Sequence, residues 1–274
     1  MIVDAHHHLW SLARGDYGWM EGNPGVDPIR RDYAPADYDP IRKAHGIDAT
    51  VLVQAAPTVA ETHYMLGLAD ATDWIAKVVG WVDFERPGDR VALERLAQHP
   101  KFAGVRPMIQ DIPDVDWMHR ADVQWGYDAV RDLDLTFDAL GFPPHLDNFL
   151  RLFERYPDMR VVVDHCMKPR IRDKAFDDWA QGLERIARES PVFCKLSGLL
   201  TEAAPGCSGL DVQPYAEHVL SVFGADRVMW GSDWPVLTLN GDFDGWRAAA
   251  TACVPEAARA AVFGETAARF YRIS

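Results

Sequence analysis

Near the start of the chain, Val3-Asp4-Ala5-His6-His7-His8-Leu9-Trp10 places two histidines at i and i+2 directly after an apolar opening. On a strand, residues two apart project to one face, so His6 and His8 converge while His7 turns away. Two convergent imidazoles can hold a metal or orient a substrate. The alternatives are a polar strand edge or a leftover affinity tag, but a tag normally carries about six histidines outside the fold. The other side chains suited to chemistry are Arg106 before Pro107, Asp164-His165-Cys166, Lys195 in an otherwise apolar run, and Asp233 in Gly-Ser-Asp-Trp-Pro. Each also has a plainer role. Asp233 could cap a loop, Arg106 could form a surface ion pair, and His165 could be a satisfied core histidine. Cys166 beside His165 could be a thiolate nucleophile, although a small buried thiol is the commoner role. Lys195 is the hardest to dismiss, because an unpaired buried ammonium is costly.

The elements that would carry these residues follow a repeating pattern. Eight β-branched runs read as strands: Ile2–His8, Ala49–Gln54, Ala76–Phe84, Gly104–Met108, Leu135–Ala139, Arg160–His165, Val192–Ser197 and Arg227–Ser232. Between them, apolar residues at three-to-four spacing predict helices such as Ala60–Trp74, Arg90–His99, Leu146–Tyr156, Lys174–Glu189 and Val212–Phe223. Pro144, Tyr156-Pro157 and Gly224 punctuate their ends. Gln110–Gly126, rich in Asp and Trp, reads as a long loop opening into a short helix, and Pro255–Tyr271 reads as terminal helices packed outside the barrel.

Strands alternating with helices imply a parallel sheet, and eight repeats imply a closed (β/α)8 TIM barrel of the α/β class. At 274 residues the chain fits one such domain, 1–274, since these barrels typically run to about 250 residues. Chemistry in such a barrel gathers at the C-terminal strand ends. Those ends carry His6 and His8, Gln54, Asp83, Arg106, Asp164-His165, Lys195 and Asp233, while the fifth offers only Asp138 and, further on, His145. Closure sets the first and last strands side by side, bringing Asp233 next to the histidine pair. A carboxylate beside two imidazoles can hold a divalent metal, deprotonate a water, or do both in turn.

Composition narrows the function classes. Lys plus Arg at 28 against Asp plus Glu at 41 gives a net charge of −13, which disfavours nucleic acid and acidic membranes as partners. No apolar run approaches the roughly 18 residues of a membrane span, and no secretory signal is evident. Cys166, Cys194, Cys207 and Cys253 show no CxxC spacing and read as reduced thiols in a cytoplasmic protein. Trp10, Trp19, Trp117, Trp125 and Trp234 could offer stacking faces for a sugar ring, or could simply pack loops. The irregular stretch Ser11–Asp32 is a candidate to close over the site.

Four motifs in order, Asp-Ala-His-His-His-Leu-Trp, Val-Val-Val-Asp-His-Cys-Met-Lys-Pro, Lys-Leu-Ser-Gly-Leu and Met-Trp-Gly-Ser-Asp-Trp-Pro, carry a family resemblance over nearly the whole chain. The chain resembles the amidohydrolase superfamily, and within it the sugar-lactonase branch. The resemblance matches His6 and His8 to the family's strand-one pair, His165 to its strand-six histidine, Asp233 to its strand-eight aspartate, and Arg106 to a substrate-binding arginine. It implies hydrolysis of a sugar-acid lactone, L-fucono-lactone first and L-rhamnono-lactone next, with Asp233, His165 and Arg106 catalytic. His6, His8, Arg106, Trp10 and Gln54 would bind substrate. One divalent ion, zinc first, would sit on His6, His8 and Asp233. The fifth strand lacks the histidine or carboxylated lysine of two-metal members, so the resemblance implies one metal or none. The expected partner is a small sugar lactone, and self-association into a homo-oligomer stays open. Rival readings are a metal-dependent decarboxylase, a lactonase for a dicarboxylate substrate, a Cys166 thiol hydrolase, and a barrel that only binds a sugar acid.

Overall fold

The computed structural model describes residues 1–274. All eight runs form strands: β1 (Val3–His7), β2 (Ala49–Val53), β3 (Ile75–Gly80), β4 (Phe102–Val105), β5 (Thr136–Ala139), β6 (Arg160–Val163), β7 (Phe193–Leu196) and β8 (Val228–Trp230). They pair in parallel in sequence order. The ring closes just beyond β8, where the Asp233 amide donates to the His6 carbonyl (2.8 Å) and the His8 amide donates to the Trp234 carbonyl (2.7 Å). Several strands end earlier than the sequence pattern suggests. His8, Gln54, Arg106, Asp164 and Ser197 each stand immediately past a ladder, where the backbone leaves the strand geometry.

The chain forms ten helices: α1 (Pro35–Ala44), α2 (Val59–Asp70), α3 (Arg90–Leu96), α4 (Gln124–Asp132), α5 (Leu146–Arg155), α6 (Asp177–Glu189), α7 (Leu199–Glu202), α8 (Gly209–Phe223), α9 (Phe243–Cys253) and α10 (Thr266–Tyr271). Local chemistry sets their ends. The Thr58 hydroxyl accepts from the Glu61 amide at the start of α2, and Asp242 accepts from the Gly245 amide at the start of α9. Ser208 and Asp211 cap α8, which stops at Gly224 in a positive-φ conformation. Along α5, Leu146, Phe149, Leu150, Leu152 and Phe153 form the buried stripe that its periodicity predicts. Gln110–Gly126 is indeed mostly irregular, with three short 3-10 turns before α4.

Two apolar cores divide the work. The larger lies between the barrel and its helices; the smaller fills the barrel with Val3, Ala5, Val51, Val53, Val162 and Met229. Val262 and Phe263 pack in the larger core outside the barrel, whereas Phe270 and Tyr271 belong to the smaller core, which corrects for α10 alone the expectation that the terminal helices pack outside the barrel. Helix α10 instead seals the end where the strands begin: the Phe270 carbonyl accepts from Arg160, the first residue of β6. The Tyr271 hydroxyl reaches up the barrel to Asp138 Oδ2, 2.8 Å away. An apolar-periodic tail signals burial without saying against which surface. No helix is long and apolar enough to cross a membrane.

Candidate active site

The histidine pair is aimed by a defect in β1. Asp4 pairs with Thr50 and His7 with Leu52, so three steps on β1 match two on β2. This bulge leaves Asp4 and His7 facing the helices, where His7 bonds Thr50 Oγ1 and stacks on Tyr38, and lets His6 swing inward. Gly231 makes room for it, because a Cβ there would stand 2.7 Å from the His6 Cβ. Asp4 holds the far side of the closure. It accepts from the Ser232 amide (2.8 Å), the Ser232 hydroxyl (2.5 Å) and the Tyr38 hydroxyl (2.5 Å), fixing the turn that presents Asp233.

His165 arrives by a different device. His165, Cys166, Met167 and Lys168 all have positive φ, a left-handed turn that L-residues adopt at a cost of roughly 1–2 kcal/mol each. Asp233 also has positive φ. Such strain persists only where surrounding structure imposes it, and it collects at functional sites. Here the turn carries His165 Nδ1 to within 2.9 Å of the Ser197 hydroxyl and sets Lys168 on the cavity wall. Gly198 is needed beside it, since a Cβ would lie 2.6 Å from His165 Nδ1.

These groups converge. His6, His165 and Asp233 each offer a ligand atom within 4.8 Å of the others, and His8 Nε2 lies 3.3 Å from Asp233 Oδ1 and 3.2 Å from His6 Nε2. Of the expected His6, His8 and Asp233, the mutually close group keeps His6 and Asp233 and takes His165 as its third member, while His8 stands beside it through its contacts to His6 and Asp233. Two or three imidazole nitrogens with one carboxylate oxygen form a donor set suited to a single zinc ion. Burial, then Lys195, His8 and Arg106, hold His6 far below the usual histidine range. Burial likewise keeps His165 neutral against the pull of Asp233. Burial alone would raise Asp233, but His165, His8 and Lys168 outweigh it and keep the carboxylate ionised below its ordinary value.

Beneath this group lies a second layer. Lys195 is fully buried and paired, 2.5 Å from Asp138 Oδ2 and 3.1 Å from Asp164 Oδ1. Burial raises Asp138 to about 6, whereas Lys195, Arg106 and His165 overcome burial at Asp164 and hold it low. Asp138, at the strand end that looked poorest, is therefore the counter-ion that makes Lys195 tolerable. Sequence pattern could not pair them, because they lie 57 residues apart on β5 and β7.

A cavity of about 290 Å³ opens above, and His8, Arg106, His165 and Asp233 all line it. Arg106 donates to the Gln54 carbonyl and lies 3.4 Å from Asp164 Oδ2, while its buried Nε has no partner. Gln54 and His6 do not reach the cavity. Gln54 is fully buried behind it, donating to the Arg106 carbonyl (2.8 Å), and His6 stands behind His8 and Asp233. Trp10 and Trp19 line the wall, tied to the carbonyls of Arg31 and Ala55. Trp117, Trp125 and Trp234 do not; Trp117 faces a neighbouring cleft, Trp125 bonds the Phe84 carbonyl, and Trp234 packs on Tyr33 and Tyr38. Asp83 lines that same cleft. Cys166 is buried and points to the Lys195 carbonyl, away from the cavity.

The stretch Ser11–Asp32 covers one side, as its composition suggests. It forms three 3-10 turns, places Asn23 and Val26 in the lining, and is pinned at its base by reciprocal backbone bonds between Trp10 and Tyr33.

Comparison with known proteins agrees with this architecture. The chain is 42% identical to an L-fucono-1,5-lactonase of Burkholderia ambifaria, spanning 99% of this chain and 95% of that protein. It is 34% identical to an L-fucono-1,5-lactonase of Burkholderia multivorans, over 99% and 96%. Among solved structures, an amidohydrolase from Burkholderia multivorans with bound zinc superposes with a TM-score of 0.92 at 32% identity, each chain fully covered. The amidohydrolase family model matches residues 3–273. With its bulged histidine strand, its strand-six histidine and its aspartate at the barrel seam, the chain belongs to the amidohydrolase family.

Proposed function

We propose that the chain hydrolyses the lactone of a six-carbon sugar acid, L-fucono-1,5-lactone first and L-rhamnono-lactone second. The order of the two sugars follows the L-fucono-1,5-lactonases that the chain resembles, and the observation that carries a neutral sugar lactone over a dicarboxylate is the cavity lining. Its charges balance, Arg106 and Lys168 against Asp111 and Asp233, and Asn23, Gln110 and Thr201 add neutral hydrogen-bonding groups. Arg170 and Lys195, the other cations considered for a dicarboxylate, are absent from the wall. A dianionic substrate would face as many carboxylates as cations, whereas a neutral polyol finds donors and acceptors throughout. The volume, near the roughly 300 Å³ lower end of ordinary ligand pockets, suits one sugar ring.

In this mechanism the ionised Asp233 takes a proton from the attacking water as oxygen bonds to the lactone carbonyl carbon. Arg106 and His165 face the oxyanion that develops. When the tetrahedral centre collapses, the ring C–O bond breaks and Asp233 returns the proton to the departing alkoxide. His6, His8, His165 and Asp233 are the residues that would hold a divalent ion, zinc first. Bound there, it would supply Lewis acidity to the same carbonyl.

The test is a panel of sugar lactones and an aromatic dicarboxylate lactone, followed by proton release, with metal content measured on the same sample. The expected outcome is fastest acidification with L-fucono-1,5-lactone. Saturable binding of sugar acids without proton release from any lactone would overturn the proposal.

A further inference from the structure

The cleft beside the catalytic cavity is the larger of the two spaces, about 690 Å³ against about 290 Å³. Loops after the first four strands build it, contributing Gly18, Pro57, Trp81 and Ile112 in turn. Trp19, Met108 and Asp111 line both spaces, so the two adjoin at these side chains. The Trp19 indole is fixed at that boundary by its bond to the Ala55 carbonyl (2.9 Å) and by edge contact with Trp10, ring centres 5.8 Å apart. Opening one lactone ring in the smaller cavity leaves the cleft unused.

Its lining holds no lysine, arginine or histidine, and its ionisable groups are Asp16, Asp83, Glu85 and Asp111. An anionic ligand is therefore disfavoured. Three of the carboxylates already have an arginine from outside the lining: Arg14 at 2.7 Å from Asp16, Arg86 at 3.2 Å from Asp83 and Arg120 at 2.6 Å from Glu85. Their charge is largely balanced, so what they keep for a ligand is acceptor capacity rather than a pull on a cation. Asp16 shows this directly. Arg14 and Thr58 both donate to Oδ2, while Oδ1 is buried with no hydrogen-bond partner. A buried acceptor left open calls for a donor. Beside these oxygens stand the half-buried rings of Trp19 and Trp81. A pyranose answers both features at once, because its C–H face lies on an aromatic ring while its hydroxyls donate to carboxylates.

We propose that the cleft is a second sugar subsite, and that the chain takes aldonolactones carrying a further neutral pyranose on one of their ring hydroxyls. The lactone ring lies in the smaller cavity against Asp233, and the attached pyranose reaches past Trp19 into the cleft, where it packs on Trp81 and donates to Asp16 and Asp111. Only the lactone C–O bond is hydrolysed; the bond between the two sugars stays intact. This inference rests on the lactonase reading, since it names the class of lactone that the same site accepts. The cleft's volume, more than twice that of the cavity, leaves room for at least one such ring.

The probes are L-fucono-1,5-lactone and its three derivatives bearing one β-D-galactosyl group on O2, O3 or O4, each followed by proton release. One derivative is expected to show a KM about tenfold below that of the parent lactone, the scale of an added aromatic packing contact. Trp81→Ala removes a ring that lines the cleft and not the cavity, and should lower that derivative's kcat/KM relative to the parent's by about tenfold. Gly18→Leu should lower the same ratio by filling the cleft, since a Cβ there meets nothing within 4 Å and the backbone φ is not positive. Thermal melts check that both variants fold, and the comparison of derivatives in the unmodified protein decides the matter if they do not. Hydrolysis of the parent with no derivative gaining in KM defeats the inference and leaves the lactonase reading standing. A gain that survives both folded variants defeats it as well, and hydrolysis of no lactone at all removes both.

Discussion

In the proposed mechanism Asp233 is the base, because it is the ionised acceptor that lines the cavity among three imidazoles. Asp233→Asn keeps the shape and removes the base, and should lower kcat by about 10²–10⁴ while leaving the melting temperature within a few degrees. Steady-state kinetics beside thermal melts check this; near-normal turnover would exclude Asp233 as the base. Arg106 differs in kind, since it contacts Gln54 and Asp164 as well as facing the cavity. Arg106→Met should cost both turnover, by about 10²–10³, and stability, because Asp164 loses one of its cations. A loss confined to KM would instead mark Arg106 as a binding group only.

At the scale of elements, the connections matter more than the strands. The turn after β2 carries Ala55 in the cavity lining and receives the Trp19 indole, and it is held by Glu61 of α2, which accepts from the amides of Ala55 and Ala56. Burial raises Glu61 from its ordinary 4.5 to about 7. The folded state therefore binds a proton that the unfolded chain has released between those values, so stability is greatest below about 4.5 and falls as pH rises through about 7. The whole excursion is on the order of 3 kcal/mol. Glu61→Gln should flatten the stability profile in that window, as urea melts at a series of pH values would show; an unaltered slope there would refute the assignment. The Trp10–Tyr33 bridge and the Gly231 approach to His6 act similarly, as local geometry that the site depends on. Gly231→Ala should push β1 and β8 apart at the seam, costing about 1–3 kcal/mol and measurable turnover together.

For the whole molecule, the barrel is stoppered at one end and functional at the other, and the two ends are in contact. The Tyr271 hydroxyl, Asp138, Lys195 and His6 form a continuous column from the sealed floor to the reactive layer. Phe270→Ala should destabilise by about 3–5 kcal/mol through the cavity left in the floor. Tyr271→Phe removes only the hydroxyl, and should cost about 1–2 kcal/mol with a detectable change in kcat, because Asp138 loses a partner next to Lys195. Chemical denaturation and kinetics on both variants separate floor packing from communication along the column. A Tyr271→Phe protein with unaltered kcat would show that the column is structural alone.

The pattern along the chain determined the barrel, its eight strands and the ends where reactive residues gather, because period-two and helical apolar spacing are local properties written directly into residue order. It also determined that His6, His8 and Asp233 would meet, since closing a ring of strands in order makes the first and last neighbours. Tertiary structure decided the rest. The bulge in β1, the left-handed turn at His165 and the inward tail at Tyr271 have no periodic signature, and each depends on distant partners such as Gly231, Gly198 and Asp138. The pairing of Lys195 with Asp138 and Asp164 is of the same kind: a buried cation announces in sequence that it needs counter-ions, but only the folded barrel brings them within hydrogen-bond reach. The same limit explains Gln54, which sits at a strand end as expected yet turns behind Arg106 instead of into the cavity. Position along a strand is local, whereas the direction a side chain finally takes depends on the partner waiting for it.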